Sequence, residues 1–443
     1  MTAGSQIKVC KFGGTSMADA AAIKNVENII RADSSRSYIV VSAPGKRFKD
    51  DDKVTDLLYA AFEARGDGVK FGEIFGKIKL RFDGIINSLG IVYDLKNIYS
   101  EIEKEIKLSS TPDYAASRGE YLSALVLAKY LGFAFADTKD IIKFNSKKVF
   151  DMELTDTLAG NALRGKKYTV IPGFYGSDPD GRITTFSRGG SDITGSIISS
   201  AVGADIYENW TDVDGFLTAD PRVVKNPELI DVLSYKELRE LSYMGASVLH
   251  HEAIFPVKKA GIPINVKNTF DKEKIGTMIM RHVDLPKDGG RTITGIAGKK
   301  GYSVINIEKS LLNNEIGFVR KVLSVLEKYG ISFEHMPTGI DTLSIVLSGG
   351  EFKIPPERLL KEISDEVNPD AISLTNGLSL IAIVGHGMLH KQGTAAKAFA
   401  ALAEKGINIM MIDQGGSELN IIIAVDTKDY ERAINAIYGA FFG

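Results

Sequence analysis

Two glycine-rich loops carry residue types that suit the binding of anions. The stretch "KFGGTS" (residues 11–16) follows an apolar run that predicts a strand, and "TTFSRGGSDITG" (184–195) leads into a predicted helix. Glycines let backbone N–H groups approach an anion because no Cβ intervenes, and a helix N-terminus adds positive potential. Each loop also carries hydroxyls and a cation, Lys11 or Arg188. The pair predicts a site for two anionic substrates, although turn glycines, or an N-cap at Asp192, explain either loop taken alone.

A third stretch, "NWTDVDGFLTADPR" (209–222), concentrates acidic residues behind a predicted strand. Its charged members are Asp212, Asp214, Asp220 and Arg222. Their spacing does not match the 12-residue EF-hand calcium loop, which needs a glycine and a terminal glutamate at fixed positions. The stretch predicts contact with a nucleotide or a metal-bound nucleotide, and a solvated loop is the alternative.

Other residues with catalytic chemistry are few. The stretch "SRGE" (117–120) is predicted to put Glu120 at the start of a helix, where the helix dipole favours a carboxylate. The sequence has no evident Ser-His-Asp or Cys-His arrangement, and we interpret its six histidines as structural. The single cysteine, Cys10, rules out an intramolecular disulfide and a multi-cysteine metal site, so we expect it to be packed in a core. No dedicated metal site is predicted.

The bulk composition argues against two classes of partner. The 443 residues carry a formal net charge of -2, which provides no overall field for attracting nucleic acid or an anionic membrane. No apolar stretch approaches the ~18–20 residues that a membrane span needs. We therefore expect a cytoplasmic protein without a nucleic-acid or membrane partner, divided into two or three domains.

The first part of the chain alternates strand and helix patterns, which is typical of an α/β sheet with helices on its faces. The spacing of Ile23, Val26 and Ile30 predicts a helix that Asp19 caps. Residues 66–108 are rich in Lys and Glu and predict a helical insertion. The predicted strands are "IKVCKF", "SYIVVSA", "YTVIPGF", "ADIYENW" and "IPINVKN", and further helices are predicted near 118–131, 192–203 and 250–260.

The last part of the chain contains an internal repeat. The stretch "HVDLPKDGGRTITG" (282–295) predicts a linker, and after it the pattern of a β-α-β-β-α-β unit occurs twice. In both copies a helix ends before the second strand, in "EKYGISF" and "AEKGINI". The predicted second strands are "ISFEHMPTG" (331–339) and "INIMMIDQGG" (407–416). Two small ferredoxin-like modules are therefore expected.

These motifs together resemble a known family. "KFGGTS", "SRGE", "RGGSD", "TDVDGFLTADPR" and the repeated tail are similar to the aspartate kinases of the amino-acid kinase superfamily, which carry ACT regulatory modules. The resemblance implies an α/β fold, an amino-acid kinase (carbamate kinase-like) three-layer sandwich followed by two ferredoxin-like βαββαβ ACT domains. The implied bounds are 1–285 for the kinase domain, 286–300 for a linker with a strand of the second ACT unit ("TITGIAG", 292–298), 301–375 for the first ACT domain and 376–443 for the second.

The resemblance implies transfer of the ATP γ-phosphoryl group to the side-chain carboxylate of L-aspartate, with Mg²⁺ accompanying ATP. This reaction suits the residues, because a carboxylate with a pKa near 4 is already ionised and needs no general base. It does need charge neutralisation and in-line alignment of two anions. By analogy, Lys11 holds the ATP phosphates and stabilises the transition state, and Asp192 orients Lys11.

The same resemblance assigns the remaining site residues. Arg188 would grip the α-carboxylate of aspartate, and Glu120 would face its α-ammonium. The implied aspartate-binding set is Ser42, Thr55, Glu120, Phe174, Arg188 and Ser191, and the implied nucleotide-binding set is Lys11, Gly13, Gly14, Ser191, Thr211, Asp212, Leu217, Asp220, Arg222 and Ser247. Relatives often carry a tyrosine at the position of Leu217 and a lysine at that of Ser247. The stretch 43–54 is also longer and more charged than the family pattern predicts.

By the same analogy the tail binds an end-product amino acid and joins copies of the chain into a homodimer or a dimer of dimers. The implied effector site is Glu315, Gly317, Phe318, Ser332, Phe333 and Glu334. We expect lysine, because Glu334 can pair with its side-chain ammonium, and threonine is the alternative. A monofunctional, feedback-inhibited enzyme at the head of lysine, threonine and methionine synthesis is expected. A kinase for another acidic metabolite, such as glutamate, and a catalytically silent amino-acid sensor are the alternative hypotheses.

Overall fold

The chain forms two compact units. The computed structural model describes residues 6–187, 189–246, 248–249, 251–283, 291–350 and 352–443. The first unit comprises Met1–Phe216, Leu229–Leu238 and Ser247–Val283, and the second comprises Leu217–Glu228, Arg239–Ala246 and Asp284–Gly443. The junction after Val283 lies beside the domain boundary expected at residue 285. Packing also assigns the short segments 217–228 and 239–246 to the second unit, and the sequence patterns gave no sign of this.

A mixed sheet organises the first unit. Its strands are β1 Lys8–Phe12, β2 Arg36–Val41, β3 Ala134–Phe135, β4 Thr169–Pro172, β7 Ile206–Thr211, β8 Val232–Ser234, β9 Ile264–Asn268 and β10 Thr277–Met280, while β5 Tyr175–Ser177 and β6 Ile183–Thr185 form a separate hairpin. Within the described residues the order is β3-β4-β2-β1-β7-β9-β10-β8. Neighbours are parallel except β9 and β10. The carboxyl ends of β2, β1 and β7 therefore meet at one edge, the usual place for a ligand.

Helices cover both faces of this sheet. They are α1 Ala20–Arg31, α2 Val54–Glu63, α3 Gly68–Leu89, α4 Lys96–Leu108, α5 Asp113–Leu131, α6 Thr138–Ile141, α7 Met152–Leu163, α8 Gly190–Val202 and α10 Phe255–Ala260, with 3-10 turns at Gly14–Met17 and His251–Ile254. Helix α9, Tyr235–Tyr243, begins in the first unit and ends in the second. The predicted cap of α1 is confirmed, because Asp19 Oδ1 accepts the Ala22 N–H at 2.9 Å. In α3, Phe75 and Phe82 share one core with β1, so the helical segment is integral to the unit.

Side chains alternate between the two faces of β1, and this separates the core residues from the candidate catalytic residue. Cys10 and Phe12 point into the apolar core beneath α1. Lys11, which lies between them, points to the opposite face of the strand, toward α8. Cys10 is fully buried, which confirms its predicted packing role, and burial raises the pKa of its thiol well above the ordinary value. Within β1, Cys10 and Phe12 therefore pack in the core, and Lys11 is directed to the start of α8.

A buried ion pair lies on the core face. Glu208 and Arg36 are 3% and 9% exposed, and Arg36 Nε donates to Glu208 Oε2 at 2.8 Å. The indole Nε1 of Trp210 donates to the same oxygen at 2.9 Å. Burial is the largest influence on the pKa of Glu208 and would raise it, but the hydrogen bonds from Arg36 and Trp210 and the charges of Arg36 and Lys8 together outweigh burial, so the pKa lies below its ordinary value. The pair joins β2 to β7 on either side of β1.

One sheet serves both predicted modules of the second unit. Its strands are β11 Gly295–Glu308, β12 Thr342–Ser348, β13 Ala371–Val384, β14 Met411–Asp413 and β15 Asn420–Asp426, and its helices are α11 Phe318–Lys328, α12 Pro356–Val367, α13 Thr394–Glu404 and α14 Tyr430–Phe442, with 3-10 turns at Leu312–Asn314, His386–Met388 and Thr427–Asp429. In the described residues the order is β12-β11-β13-β15-β14. Residues 295–300 of β11 pair with 379–384 of β13, and residues 302–308 pair with β12 and with 371–378. The kinase-type α/β fold followed by ACT-type modules is thus confirmed.

Two predicted strands of the tail are wrong or too long. Residues 331–339 form only isolated bridges, at His335 and Thr338. Pro337 has no N–H to give to a ladder, so pairing is interrupted between them. In the second module the strand is limited to Met411–Asp413. Across the described parts of both units, no helix has the length and apolarity that a membrane crossing requires.

The buried ion pair predicts a large loss of stability when one partner is removed. Arg36→Met should lower the free energy of unfolding of the first unit by about 3 kcal/mol, because it removes the closest cation from buried Glu208 and leaves it with the more distant Lys8 ammonium at 3.6 Å. Trp210 is the only tryptophan, so its fluorescence in a urea titration reports this unit. The control Arg31→Met removes an exposed pair with Glu27 and should cost less than about 1 kcal/mol. Equal losses for the two variants would contradict the role given to the buried pair.

Candidate active site

A lysine–aspartate contact lies at the centre of the first unit. Lys11, near the end of β1, is only 8% exposed. Its Nζ lies 2.6 Å from Asp192 Oδ1 in the first turn of α8. Asn209, the residue beside Lys11 on β7, donates from Nδ2 to the same Asp192 oxygen at 2.8 Å. Two donors from neighbouring strands therefore fix one carboxylate oxygen.

The start of α8 places Asp192 for this contact. The N-cap is Gly189 with φ 59°, so the alternative that Asp192 is the N-cap is wrong. The Tyr207 hydroxyl donates to the Asp192 carbonyl at 3.1 Å. A Cβ at Gly195 would lie 2.5 Å from that hydroxyl oxygen, so only glycine lets α8 pack this closely on β7. The helix N-terminus adds positive potential beside the Lys11 ammonium.

The predicted glycine cradle follows β1 directly. The Gly13 N–H donates to the Trp210 carbonyl at 3.1 Å, and a Cβ at Gly13 would lie 3.7 Å from Lys11 Nζ. Gly14 is more confined, because a Cβ there would lie 3.0 Å from the Ala43 carbonyl oxygen. The Gly45 N–H donates to the Gly14 carbonyl at 2.8 Å. The loops after β1 and β2 are therefore in backbone contact beside the lysine.

Glu120 is a buried carboxyl group next to the loop after β2. It is 5% exposed, and its Oε2 has no hydrogen-bond partner among the described atoms. Burial raises its pKa from 4.5 to about 8, although a hydrogen bond from the Ala43 backbone opposes the shift. A Cβ at Gly119 would lie 2.6 Å from the Ala43 Cβ, so glycine lets α5 approach this loop. Ser42 lies at the end of β2, and Thr55 in the first turn of α2.

The prediction that Glu120 starts a helix is wrong. Helix α5 runs from Asp113 to Leu131 and places Glu120 in its interior. Pro112 occupies the N-cap position, and Asp113 supplies the acidic first-turn residue expected at a helix N-terminus. The raised pKa of Glu120 therefore results from burial, and Glu120 is too far from the N-terminus of α5 to be its first-turn carboxylate.

Phe174 and Ser191 are brought together by a tight turn. Phe174 has φ 82°, a left-handed conformation that is uncommon outside glycine and typical of functional sites. Its N–H donates to Thr194 Oγ1 at 3.0 Å. A Cβ at Gly173 would lie 2.6 Å from Ser191 Oγ, and one at Gly190 would lie 2.5 Å from the Phe174 ring. The loop after β4 therefore packs directly on the start of α8.

The predicted nucleotide residues divide between the units. Thr211 ends β7 and lies with Asp212 in the first unit, where the Thr211 hydroxyl donates to Asp212 Oδ1 at 3.3 Å. Leu217, Asp220 and Arg222 belong to the second unit, in which Arg222 Nη2 lies 2.7 Å from Asp220 Oδ2. Two further predicted residues, Arg188 and Ser247, lie outside the described residues.

The predicted effector residues lie at both ends of α11 in the second unit, with Glu315, Gly317 and Phe318 at its start and Ser332, Phe333 and Glu334 after its end. Gly317 is the N-cap of α11 with φ 82°, and Phe318 is buried in the module core. Glu315 pairs with Lys321 at 3.0 Å, and the Glu334 carboxylate accepts a hydrogen bond from the Tyr243 hydroxyl. Ser332 and Phe333 are exposed. Phe318 is thus committed to packing, and the carboxylates of Glu315 and Glu334 already have polar partners within the second unit.

Sequence reasoning missed Asn209 and Tyr207, which hold Asp192. They alternate along β7 on the face of Lys11, so the period-2 pattern of "YENWT" would have placed them together. The pairing of β1 with β7 across 198 residues is not visible in the sequence. Among the described residues, no cluster of three or more His, Cys, Asp or Glu side chains suits a metal ion.

Comparisons with known proteins agree with this geometry. A sequence profile of the amino acid kinase family matches residues 6–268, and one of the ACT domain matches residues 381–441. Aspartokinase 3 of Bacillus subtilis is 37% identical over 98% of this chain and 99% of its own length. The chain belongs to the aspartokinase family.

Solved aspartokinases share the whole fold. The crystal structure of Clostridium acetobutylicum aspartate kinase is 50% identical, covers 98% of this chain and 100% of that chain, and superposes with a TM-score of 0.93. E. coli aspartokinase III is 25% identical in its complex with aspartate and ADP (R-state), with a TM-score of 0.79. In its complex with lysine and aspartate (T-state) it is 26% identical, with a TM-score of 0.75. Both cover 99% of this chain and 100% of the E. coli chain.

The environment of Glu120 in this aspartokinase predicts a pH-dependent stability. Because its folded pKa of about 8 lies above the ordinary 4.5, the folded chain binds more protons than the unfolded chain between these values. The free energy of unfolding should therefore fall as pH rises, by up to about 1 kcal/mol per pH unit. Glu120→Gln stays neutral and should lack this loss.

Urea titrations of both proteins between pH 5.5 and 8, followed by Trp210 fluorescence, measure the difference. The stability of the wild type relative to Glu120→Gln should decrease steadily over this range. A difference that does not change with pH would show that Glu120 is already ionised in the fold.

Proposed function

We propose that this aspartate kinase transfers the γ-phosphoryl group of ATP to the side-chain carboxylate of L-aspartate, giving L-4-aspartyl phosphate, with Lys11 and Asp192 as its catalytic pair. The observation that carries the assignment is the 2.6 Å contact of the buried Lys11 Nζ with Asp192 Oδ1. Asn209 holds the same oxygen, so the ammonium is fixed before any substrate arrives. The E. coli relative in complex with aspartate and ADP supports the choice of both substrates.

Lys11 would act on the phosphoryl group that is transferred. The aspartate carboxylate is ionised at neutral pH, so the enzyme needs no general base. It needs instead a cation that neutralises the negative charge on the oxygens of the transferred phosphoryl group. Lys11, beside Gly13 and Gly14, would supply this cation. Mg²⁺ would bind through the ATP phosphates, its usual ligands, and neutralise further charge.

The aspartate site would lie between the loops after β2 and β4. Ser42, Thr55, Glu120, Phe174, Arg188 and Ser191 are the proposed contacts. Glu120 would receive the α-ammonium, and this cation would favour the ionised form of a carboxyl group that burial keeps protonated. Arg188 would bind the α-carboxylate with its planar fork.

The nucleotide contacts are proposed to be Lys11, Gly13, Gly14, Ser191, Thr211, Asp212, Leu217, Asp220, Arg222 and Ser247. Of these, Thr211 and Asp212 are the members that the structure places at the carboxyl end of β7, beside β1. Parallel strands bind their ligands at this end, which supports the assignment of both.

We further propose that an end-product amino acid, lysine, binds the ACT modules and inhibits the kinase, and that these modules join copies of the chain into a homodimer or a dimer of dimers. Threonine is the alternative effector. Support for lysine comes from the E. coli relative, which was solved with lysine and aspartate in the T-state. The enzyme would then control the first step of lysine, threonine and methionine synthesis.

Aspartyl phosphate formation gives the direct test of the reaction. With ATP, Mg²⁺ and hydroxylamine as the trap, L-aspartate should yield the hydroxamate, and L-glutamate should yield none above background. Turnover of glutamate in place of aspartate would reassign the substrate. Absence of turnover with both amino acids would favour the alternative of a silent amino-acid sensor.

Lysine inhibition is predicted to depend on Glu334. Glu334→Gln removes the carboxylate that would pair with the effector ammonium, so the lysine concentration for half inhibition should rise about tenfold or more while uninhibited turnover is kept. Glu327→Gln, an exposed neutralisation on α11, is the control and should leave inhibition unchanged. Equal inhibition of all three proteins would remove Glu334 from the effector site, and inhibition by threonine alone would replace lysine as the effector.

A further inference from the structure

The loop after β2 joins two of the proposed aspartate contacts. Residues 43–53 connect Ser42 to the helix that carries Thr55. At Gly45 this loop lies against the glycine cradle, because the Gly45 N–H donates to the Gly14 carbonyl at 2.8 Å. A Cβ at Gly45 would lie 2.8 Å from the Gly14 carbonyl carbon. The position of the loop therefore sets the position of the cradle.

A guanidinium from α3 lies beneath this contact. Arg81 is 8% exposed, and its Nη1 donates to the Ala18 carbonyl at 3.3 Å and to the Gly45 carbonyl at 3.2 Å. Its Nη2 donates to Asp51 Oδ2 at 2.6 Å and to the Asp52 carbonyl at 3.2 Å. One side chain thus connects the segment that follows the cradle to both ends of the loop.

The charges of the loop complete this arrangement. Asp51 is 7% exposed and also accepts from Arg47, through the backbone N–H and Nε at 2.9 Å and through Nη2 at 2.8 Å. The hydrogen bond from Arg47 contributes most to holding the pKa of Asp51 well below its ordinary value. The unusual charge of "APGKRFKDDDKV" is therefore explained in part by a closed turn whose carboxylate receives Arg81.

We propose that Arg81 is a positioning residue for phosphoryl transfer, holding the glycine cradle and the aspartate-binding loop at a fixed separation through its four acceptors. The proposal rests on the proposed function, since it identifies the residue that fixes the positions of the two proposed substrate sites relative to each other. An arginine is required because its planar fork directs two nitrogens to separate acceptors, whereas a lysine has a single nitrogen. Small displacements of aligned reactants greatly lower the reaction rate, so weakening the Arg81 hydrogen bonds should slow phosphoryl transfer.

Arg81→Lys tests the proposal while keeping the charge. In the hydroxamate assay, kcat/KM should fall about tenfold or more, with the KM values for ATP and for aspartate both raised. The control is Lys70→Gln, an exposed residue in the first turn of the same helix, which should behave as wild type. A purely structural role would lower the unfolding midpoint and the active fraction while leaving both KM values unchanged, and that result would overturn the proposal.

Two further measurements keep the test independent of folding and of the assigned reaction. Arg81→Ala should regain activity in millimolar guanidinium chloride, far below denaturing concentrations, but not in equal sodium chloride. Limited trypsin digestion should cut at the exposed Lys46 and Lys49 faster in Arg81→Lys than in the wild type or Lys70→Gln. Equal rates of cutting in Arg81→Lys and the wild type would refute the positioning role. Unchanged KM values in Arg81→Lys, with an active wild type, would also refute it. If the wild type is inactive but trypsin still cuts Arg81→Lys faster, only the proposed function is rejected and the positioning role of Arg81 stands.

Discussion

The contact between the Lys11 ammonium and the Asp192 carboxylate sets the requirements for the rest of the first unit. Both side chains are largely removed from water, with 10% and 15% of their surfaces exposed, so each charge depends on the other. Asn209 occupies a further site on the same carboxylate oxygen and fixes its direction. In the proposed reaction, an ammonium held in this way would meet the phosphoryl group without having to reorganise, which is the source of electrostatic catalysis.

Close backbone approach is the second requirement, and glycine meets it at each junction around the site. Gly195 lets α8 pack on Tyr207, and Gly45 lets the loop after β2 touch Gly14. Gly173 does the same between the loop after β4 and Ser191. These loops all follow the carboxyl ends of parallel strands, so the sheet brings together segments that are far apart in sequence. Arg81 adds a side-chain connection where two of the loops meet.

Local patterns predicted the elements well, because strand and helix periods are properties of short segments. The five strands predicted for the kinase part, the cap at Asp19 and, in each module of the tail, the helix expected before the second strand were confirmed. Where local signals were weak, the prediction failed. The interior position of Glu120 was missed because the helix starts at Asp113, four residues before "SRGE". The strand expected at 331–339 was interrupted at Pro337.

Long-range pairing limited the prediction of the site. Asn209 acts on a residue 17 positions away and Arg81 on residues 29 or more positions away, and no local pattern signals either contact. The glycines of the cradle were visible in the sequence, but the helix that supports them appeared only as a Lys- and Glu-rich insertion. Asp192 itself was assigned through a family resemblance, and its distance to Lys11 depends on the order of strands in the sheet.

Single-turnover formation of aspartyl phosphate by Lys11→Met, Asp192→Asn and the double variant tests the central claim most directly. If Asp192 acts by holding Lys11, each single variant should lose about 100-fold or more in rate, and the double variant should be no slower than Lys11→Met. The claim would be contradicted if Asp192→Asn stayed within about twofold of the wild type, or if the two losses multiplied in the double variant.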